Sequence, residues 1–210
     1  MKIDLFCPSR ERINKVLTFI CSIITTAKDI NNINLVLGID DDDPKLDHYL
    51  KIAQNLDFIQ VVRYPEGLIE KIGLCGLWNV MAEQTTNEII AMVGDDMKFE
   101  TPDWDEKILK EFSNKEDNFY LIHCNDGMRG PGNKYANVPP LAVNSFIHRD
   151  YVDTVGHYME EVEPNTFGDT YLDKVFELLN RKIYFHDIMI RHMHFSEYGG
   201  KDQVSVNIEK

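Results

Sequence analysis

Two adjacent carboxylates, Asp95 and Asp96, follow a run of mainly apolar residues at 88–94. A run that is apolar almost throughout is typical of a central strand that is buried on both faces. Two carboxylates leaving such a strand can hold a hard divalent cation through their oxygens. An Asp-rich turn gives the same pattern, so the pair alone indicates either a cation site or a turn.

Two histidines, His192 and His194, stand two residues apart at the end of the last predicted strand. Side chains at positions i and i+2 of a strand point to the same face. Two imidazoles on one face can ligate a transition metal such as Mn²⁺. A lone pair of histidines is more often polar surface, but the Asp pair in the same chain favours the metal site.

A third carboxylate, Asp169, comes directly before a predicted helix whose apolar residues are Leu172, Val175, Phe176 and Leu179. Aspartate is one of the preferred residues at a helix N-cap, and this is the simplest interpretation. A carboxylate at a helix start in a ligand cleft can also act as a general base. The sequence pattern leaves both roles open, and if Asp169 is only a helix cap, the next candidates for the base are Glu163 and Asp126.

The elements that must position these residues alternate between strand and helix patterns. Strands are predicted at 2–7, 34–40, 58–62 and 88–94, with helices between them, and this β-α-β-α-β-α-β order predicts a mostly parallel sheet. The second half is less regular: helices are predicted near 103–112 and 170–180, strands near 119–124, 141–147 and 182–195, and a Gly/Pro-rich loop at 126–140. Ligands of open α/β sheets bind beyond the carboxyl ends of the strands, where all three groups of residues fall.

The formal net charge of −13 disfavours a general nucleic-acid binder, because such a chain repels phosphate at long range. An acidic protein that binds a diphosphate needs a way to offset this repulsion. A divalent cation held by carboxylates provides one, so the charge and the Asp pair point in the same direction.

The remaining composition is that of an ordinary globular protein, and 210 residues predict a single domain. The four cysteines are scattered with no CxxC pair, which disfavours a zinc ribbon and a disulfide framework. No 18-residue apolar stretch occurs, so we expect no membrane span and a cytoplasmic protein.

Taken in order, the motifs resemble those of the GT-A glycosyltransferases, in particular the inverting, family-2-like ones. The resemblance covers nearly the whole chain. In the first half, the resembling motifs are an opening strand and P-[ST]-R turn at Leu5-Phe6-Cys7-Pro8-Ser9-Arg10, the end of the second strand at Gly38-Ile39-Asp40, and the helix residues Leu77-Trp78-Asn79. A DxD-like motif, Val93-Gly94-Asp95-Asp96, and a "pgw"-like turn, Thr101-Pro102-Asp103-Trp104, follow. In the second half, the motifs are an acceptor-side Gly156-His157-Tyr158, the segment Phe167-Gly168-Asp169 that carries the candidate base, and the histidine segment His192-Met193-His194.

This resemblance implies a GT-A fold: a three-layer α/β sandwich around a mixed, mostly parallel sheet. It also implies a nucleotide-binding half at 1–97 and an acceptor-binding half at 98–210. The implied activity is a metal-dependent, hexosyltransferase-like transfer of sugar, with inversion, from a nucleotide-diphosphate sugar, and a UDP-sugar is the first expectation for the donor. The acceptor hydroxyl would belong to a saccharide, a glycolipid or a modified nucleobase.

The resemblance also assigns roles to individual residues. It implies a donor pocket built by Pro8, Ser9, Arg10, Asp40 and Asp95, and a Mn²⁺ or Mg²⁺ ion held by Asp96 and a histidine, His194 in preference to His192. Asp169 stands where the family has its catalytic base. The chain departs from the family pattern at Gly94, the first position of DxD, and at Gly168, where an acidic residue usually precedes the base.

Two other enzyme classes on a similar α/β scaffold remain open at this point. A nucleotidyltransferase would normally carry a Gly-rich phosphate loop after the first strand, whereas Pro8-Ser9-Arg10-Glu11-Arg12 contains no glycine. A metal-dependent hydrolase could use the same Asp and His residues without an acceptor. The loop at 126–140 is a candidate for a lid or an acceptor loop.

Overall fold

A computed structural model of the chain describes residues 1–160 and 168–193. The first half contains, in order, β1 (Ile3–Pro8), α1 (Ile13–Thr26), β2 (Ile33–Asp40), α2 (Leu46–Asn55), β3 (Ile59–Tyr64), α3 (Leu68–Glu83) and β4 (Ile89–Met92). A short 3-10 turn at Ile30–Asn32 precedes β2. The alternation predicted from the apolar periodicity is confirmed element by element in this half.

The second half begins with β5 (Met97–Phe99) and α4 (Trp104–Ser113). It continues with β6 (Leu121–Asn125), β7 (Ser145–His148), α5 (Arg149–Val155), α6 (Gly168–Leu178) and β8 (Lys182–His192). Among the residues that the structure describes, no helix is long and apolar enough to cross a bilayer.

The eight strands form one sheet in the order β3-β2-β1-β4-β7-β6-β8-β5. Four of the seven pairings are parallel, namely β1 with β2, β1 with β4, β2 with β3, and β6 with β8. The other three, β4 with β7, β6 with β7, and β5 with β8, are antiparallel. The predicted mixed, mostly parallel sheet is therefore confirmed. The sheet contains strands from both sides of residue 97. The division into a nucleotide-binding half at 1–97 and an acceptor-binding half at 98–210 stays a prediction.

Helices cover both faces of the sheet and make three layers. One core contains buried residues of α1, α2 and α4, and in it the tilted rings of Trp104 and Phe99 pack with 4.3 Å between their centroids. The other contains buried residues of α3, α5 and α6. Alternate residues of the central strands belong to opposite cores, as in Phe6 and Cys7 of β1, which explains why these strands are apolar almost throughout.

The structure differs from the sequence prediction mainly after residue 94. β5 has only three residues, too few for a period to be recognised, and α5 has seven. The strand predicted at 141–147 is reduced to Ser145–His148. Helix α3 begins nine residues before Leu77 and is interrupted at Gly73, whose φ of 66° lies in the left-handed region that glycine adopts without strain.

A buried ion pair between Asp4 and Arg149 lies at the amino edge of the sheet. Asp4 is fully buried, and its carboxylate accepts from Arg149 (3.2 Å), Asn34 (2.7 Å) and Asn87 (2.7 Å). Arg149 also donates to the Ala82 carbonyl, the Asn87 carbonyl and Thr85. This one guanidinium therefore connects β1 to the end of α3 and to the start of α5.

We predict that Arg149→Ala lowers the free energy of unfolding by about 3–5 kcal/mol, because it leaves the Asp4 carboxylate buried without its cation. Urea denaturation monitored by circular dichroism measures this difference. Arg63→Ala is the control, since Arg63 pairs with Asp41 at 2.7 Å but both side chains are well exposed. Its cost should be about 0–1 kcal/mol. Equal losses in the two variants would contradict the assignment.

Candidate active site

The turn after β1 is held against the ends of two neighbouring strands. The Ser9 backbone N–H donates to the Gly38 carbonyl of β2 at 3.0 Å, and the Ser9 hydroxyl donates to Asp95 Oδ2 at 2.7 Å. The Tyr49 hydroxyl lies 3.4 Å from the Ser9 hydroxyl and accepts from the Arg12 backbone N–H at 3.1 Å. The predicted residues Ser9 and Asp95 are thus brought into direct contact.

Asp95 is almost completely buried, with 3% of its surface exposed. Its second oxygen, Oδ1, accepts from Arg12 Nη1 at 3.1 Å. Burial raises the pKa of the Asp95 carboxyl, while the charge of Arg12 and the hydrogen bond from Ser9 act in the opposite direction. Both carboxylate oxygens are therefore engaged within the protein.

Arg10 connects the same turn to the loop after β2. Its Nη1 donates to Asp40 Oδ2 at 3.0 Å, and its two terminal nitrogens bind both oxygens of Asp42 at 2.7 and 3.0 Å. Burial raises the pKa of the Asp40 carboxyl against the opposing effect of Arg10. The predicted donor-pocket residues Pro8, Ser9, Arg10, Asp40 and Asp95 all lie at this edge, at the carboxyl ends of β1, β2 and β4.

Asp96 lies beside the end of β8. Its Oδ1 is 3.5 Å from His192 Nε2, and its backbone carbonyl accepts from the Met193 N–H at 2.7 Å. Burial raises the pKa of the Asp96 carboxyl, but His192 and the nearby cations Arg12 and Lys15 outweigh it, so the net shift is downward. The structure brings together Asp96 and His192, which are 96 residues apart in the sequence, and their role as metal ligands stays a prediction. His194 lies outside the described residues.

The donor atoms of Asp96 and His192 fit a divalent cation as a partial site. A carboxylate oxygen and an imidazole nitrogen lie next to each other, and both are ligands that Mn²⁺ accepts. Within residues 1–160 and 168–193, no group of three or more His, Cys, Asp or Glu side chains is placed to hold a metal. The described residues therefore offer two potential ligands, and the metal site stays a prediction.

Asp169 lies in the first turn of α6, next to Gly168, which packs against α3. Its Oδ1 accepts from the Thr170 backbone N–H at 2.7 Å and lies 3.3 Å from the Thr170 hydroxyl. In the described part of the chain, Oδ2 makes no hydrogen bond. The bond of Oδ1 goes to the next residue and not to the N2 or N3 N–H that an N-cap side chain binds, and it leaves one oxygen for another partner. The role of Asp169 as a base stays a prediction.

Asp126 was the other described candidate for a base, and the structure gives it a different role. Its Oδ1 accepts from the backbone N–H groups of Met128 (2.8 Å) and Arg129 (2.9 Å), and its Oδ2 pairs with Arg129 Nη1 at 3.2 Å. These bonds shape the loop at 126–140, within which Tyr135 N–H also binds the Met128 carbonyl. Glu163, a further candidate, lies outside the described residues.

Sequence reasoning missed Arg12, Asp42 and Tyr49. Arg12 carried a signal, because a cation at the start of a helix opposes the helix dipole and α1 has no acidic residue in its first turn. An arginine in that position needs a carboxylate partner from elsewhere. Asp42 is hidden within the run Asp40–Asp43, and no period identifies which of the four faces Arg10.

A scan of protein-family models gives no match to the sequence, and a search of curated proteins gives none either. Solved structures do match. The mannosyltransferase PcManGT from Pyrobaculum calidifontis, in complex with GDP-Man and Mn²⁺, superposes with a TM-score of 0.71 and 13% identity over 94% of this chain and 58% of that one.

TarS from S. aureus gives similar values. Its fragment 1–349 matches with a TM-score of 0.68 and 13% identity over 90% of this chain and 59% of that one. The same fragment in complex with UDP-GlcNAc matches with a TM-score of 0.66 over 99% and 64%. The chain therefore spans roughly three fifths of the length of these solved chains and 36% of a longer TarS chain. It shares their fold, which confirms the predicted GT-A fold.

We predict that Arg12 and Asp95 are energetically coupled. Arg12→Met alone leaves the buried Asp95 carboxylate without the cation that it binds, and Asp95→Asn alone removes the anion that Arg12 Nη1 binds. The double variant should be more stable than the sum of the single losses implies, by about 1–3 kcal/mol. Equilibrium unfolding of the four proteins in EDTA measures this coupling without a contribution from metal. Additive losses would contradict it.

Proposed function

We propose that the protein is a metal-dependent glycosyltransferase that moves a sugar from a nucleotide-diphosphate sugar to an acceptor hydroxyl with inversion. The observation that carries this proposal is the pairing of Asp96 with His192 beside the Ser9–Asp95 contact, at the carboxyl edge of a sheet in a fold shared with the matched transferases. The neighbours that share the fold include proteins solved with GDP-Man and Mn²⁺ and with UDP-GlcNAc.

The donor nucleotide would bind at the turn formed by Pro8, Ser9 and Arg10, next to Asp40 and Asp95. Asp40 is bound by Arg10 on one oxygen only among the described contacts, so this pair offers both an acceptor and a donor to a nucleoside. Asp95 would support this pocket by holding Ser9 and Arg12 in place through hydrogen bonds. A UDP-sugar is our first candidate, since the same fold holds UDP-GlcNAc in TarS.

Asp96, together with His192 or His194, would hold Mn²⁺ or Mg²⁺. When bound, such an ion offsets charge on the leaving diphosphate as a Lewis acid. The carboxylate and an imidazole of this chain would contribute its protein ligands. This also removes the conflict between a chain of net charge −13 and an anionic donor.

Asp169 would act as the general base through Oδ2, the oxygen that the described contacts leave unused. The acceptor oxygen forms a bond to the anomeric carbon, the bond to the diphosphate oxygen breaks, and the acceptor proton passes to Asp169. One carboxylate base without a protein nucleophile gives inversion in a single step. The acceptor would be a saccharide, a glycolipid or a modified nucleobase, in line with the sequence expectation.

The test of this proposal is a screen of UDP-, GDP- and TDP-sugars for binding, donor hydrolysis and transfer, each with Mn²⁺, with Mg²⁺ and in EDTA. We expect one nucleotide sugar to bind in a metal-dependent manner and its sugar to be transferred to an acceptor. Release of sugar or phosphate without any transfer would instead support a hydrolase. Absence of nucleotide binding under all conditions would refute the proposal.

We predict that Asp96→Ala abolishes both metal-dependent nucleotide binding and turnover, because it removes the carboxylate ligand. His192→Ala and His194→Ala, compared by isothermal titration with Mn²⁺, identify which imidazole takes part. His186→Ala is the matched control, since His186 is an exposed histidine on the same strand as His192. Full activity of wild-type protein in EDTA would show that the Asp pair is only a turn.

We predict that Asp169→Asn leaves donor binding nearly unchanged and reduces turnover by roughly 10²-fold or more, since an amide keeps the shape of the side chain but cannot take the proton. Glu177→Gln, an exposed change on the same helix, is the control. The measurement is the turnover number with saturating donor. A lower melting temperature with normal activity per folded molecule would show that Asp169 is only a helix cap.

A further inference from the structure

Asn79 of α3 binds the backbone of a segment 80 residues away. Its Oδ1 accepts from the Tyr158 N–H at 3.0 Å and from the Met159 N–H at 2.7 Å, and its Nδ2 donates to the Met159 carbonyl at 2.9 Å. Tyr158 and Met159 are fully buried and belong to no helix or strand. Buried backbone groups need partners, and one side-chain amide supplies three bonds here.

The segment that Asn79 holds lies over strands that end at the proposed site. The Tyr158 ring packs edge-on against Phe6 of β1, with 5.8 Å between ring centroids. Phe6 comes two residues before Pro8, and β1 runs parallel to β4, which ends just before the Asp pair. The contact therefore joins the acceptor half to the donor half close to the carboxyl edge.

The same helix face also fixes the start of α6. Cys75 stands one turn before Asn79, and both residues belong to the stretch of α3 that follows the break at Gly73. A Cβ built on Gly168 would lie 3.0 Å from Cys75 Sγ and 3.4 Å from Met159 Sδ. The Gly168 backbone is thus packed between α3 and the segment that Asn79 holds.

This packing gives a physical reason for the departure at Gly168. A residue with a longer side chain at this position would push α6 away from Cys75 and Met159, and Asp169 would move with it. Glycine allows the close approach. The position of Asp169 consequently depends on how firmly Met159 and Cys75 are held.

We propose that Asn79 is a positioning residue: by clamping Tyr158 and Met159 onto α3, it sets the start of α6 and so the place of Asp169. The role of Asp169 in turnover rests on the proposed function, whereas the clamp itself does not. A displacement of about 1 Å at a reacting group can reduce turnover by 10²-fold. Loss of the clamp should therefore reduce turnover more than donor binding.

The experiment compares Asn79→Ala with Asn34→Ala by amide hydrogen exchange and by kinetics. Asn34 is a partly buried asparagine that binds Asp4 at 2.7 Å at the opposite edge of the sheet, so it controls for general loss of stability. In Asn79→Ala we expect faster exchange at residues 158–159 and also at 168–170, a roughly 10- to 100-fold lower turnover number, and an unchanged KM for the donor. Asn79→Asp, which still accepts from both N–H groups, should recover part of the turnover.

A second set of variants tests the same packing without changing Asn79. Gly168→Ala should reduce turnover, and Gly168→Ala combined with Cys75→Ala should restore part of it, because the second change removes the sulfur that the new Cβ meets. Cys75→Ala alone is the control. This set remains informative where Asn79→Ala does not fold.

Three results would overturn the proposal. The first is unchanged exchange at 168–170 in Asn79→Ala, and the second is a turnover loss no larger than that of Asn34→Ala. The third is a Gly168→Ala defect that Cys75→Ala does not relieve. A wild-type protein that binds no nucleotide sugar would refute the proposed function instead, and the exchange data would still decide whether Asn79 positions α6.

Discussion

The burial of the Asp95 carboxylate is the constraint on which the carboxyl edge of the sheet depends. A buried charge is tolerated only where it is paired and hydrogen-bonded. Ser9 and Arg12 meet this requirement from the turn after β1, and Tyr49 fixes that turn from α2. The need to satisfy one carboxylate thus determines how the end of β4, the first turn and the second helix come together.

The neighbouring carboxylates Asp95 and Asp96 differ in burial and in their bonding partners. Asp95 is turned into the protein and its oxygens are used, whereas Asp96 is 22% exposed in its side chain and meets His192 at the end of β8. The shifts of their pKa values run in opposite directions, because burial dominates for Asp95 and His192 with nearby cations dominates for Asp96. The two carboxylates of this doublet therefore have different environments: Asp95 is bonded inside the protein, and Asp96 is partly exposed beside His192.

The fold could be predicted from the sequence because β1 to β4 are apolar runs separated by helical periods. β5 and α5 were not predicted, because they are too short to show a period in their apolar residues.

Within the site, the approach of Asp96 to His192 was predictable from the positions of the strand ends and from the residue types. The arginine partners of Asp95 and Asp42 were not predictable from the sequence. An arginine can reach several carboxylates, and the path of the turn after β1 determines which one it binds. The three bonds of Asn79 carry no local pattern, because they go to backbone atoms that any residue possesses.

Polar clusters stand at both edges of the sheet, and the degree to which their hydrogen bonds are satisfied distinguishes them. At the amino edge, Asp4 and Arg149 are surrounded by asparagines, a threonine and carbonyls that use their capacity within the protein, so the cluster stabilises the fold. At the carboxyl edge, Asp96 meets a single described imidazole, and Asp169 keeps one oxygen unused among the described contacts. Carboxylate oxygens with unused capacity, beyond the carboxyl ends of the parallel strands, are a physical reason to place the chemistry there.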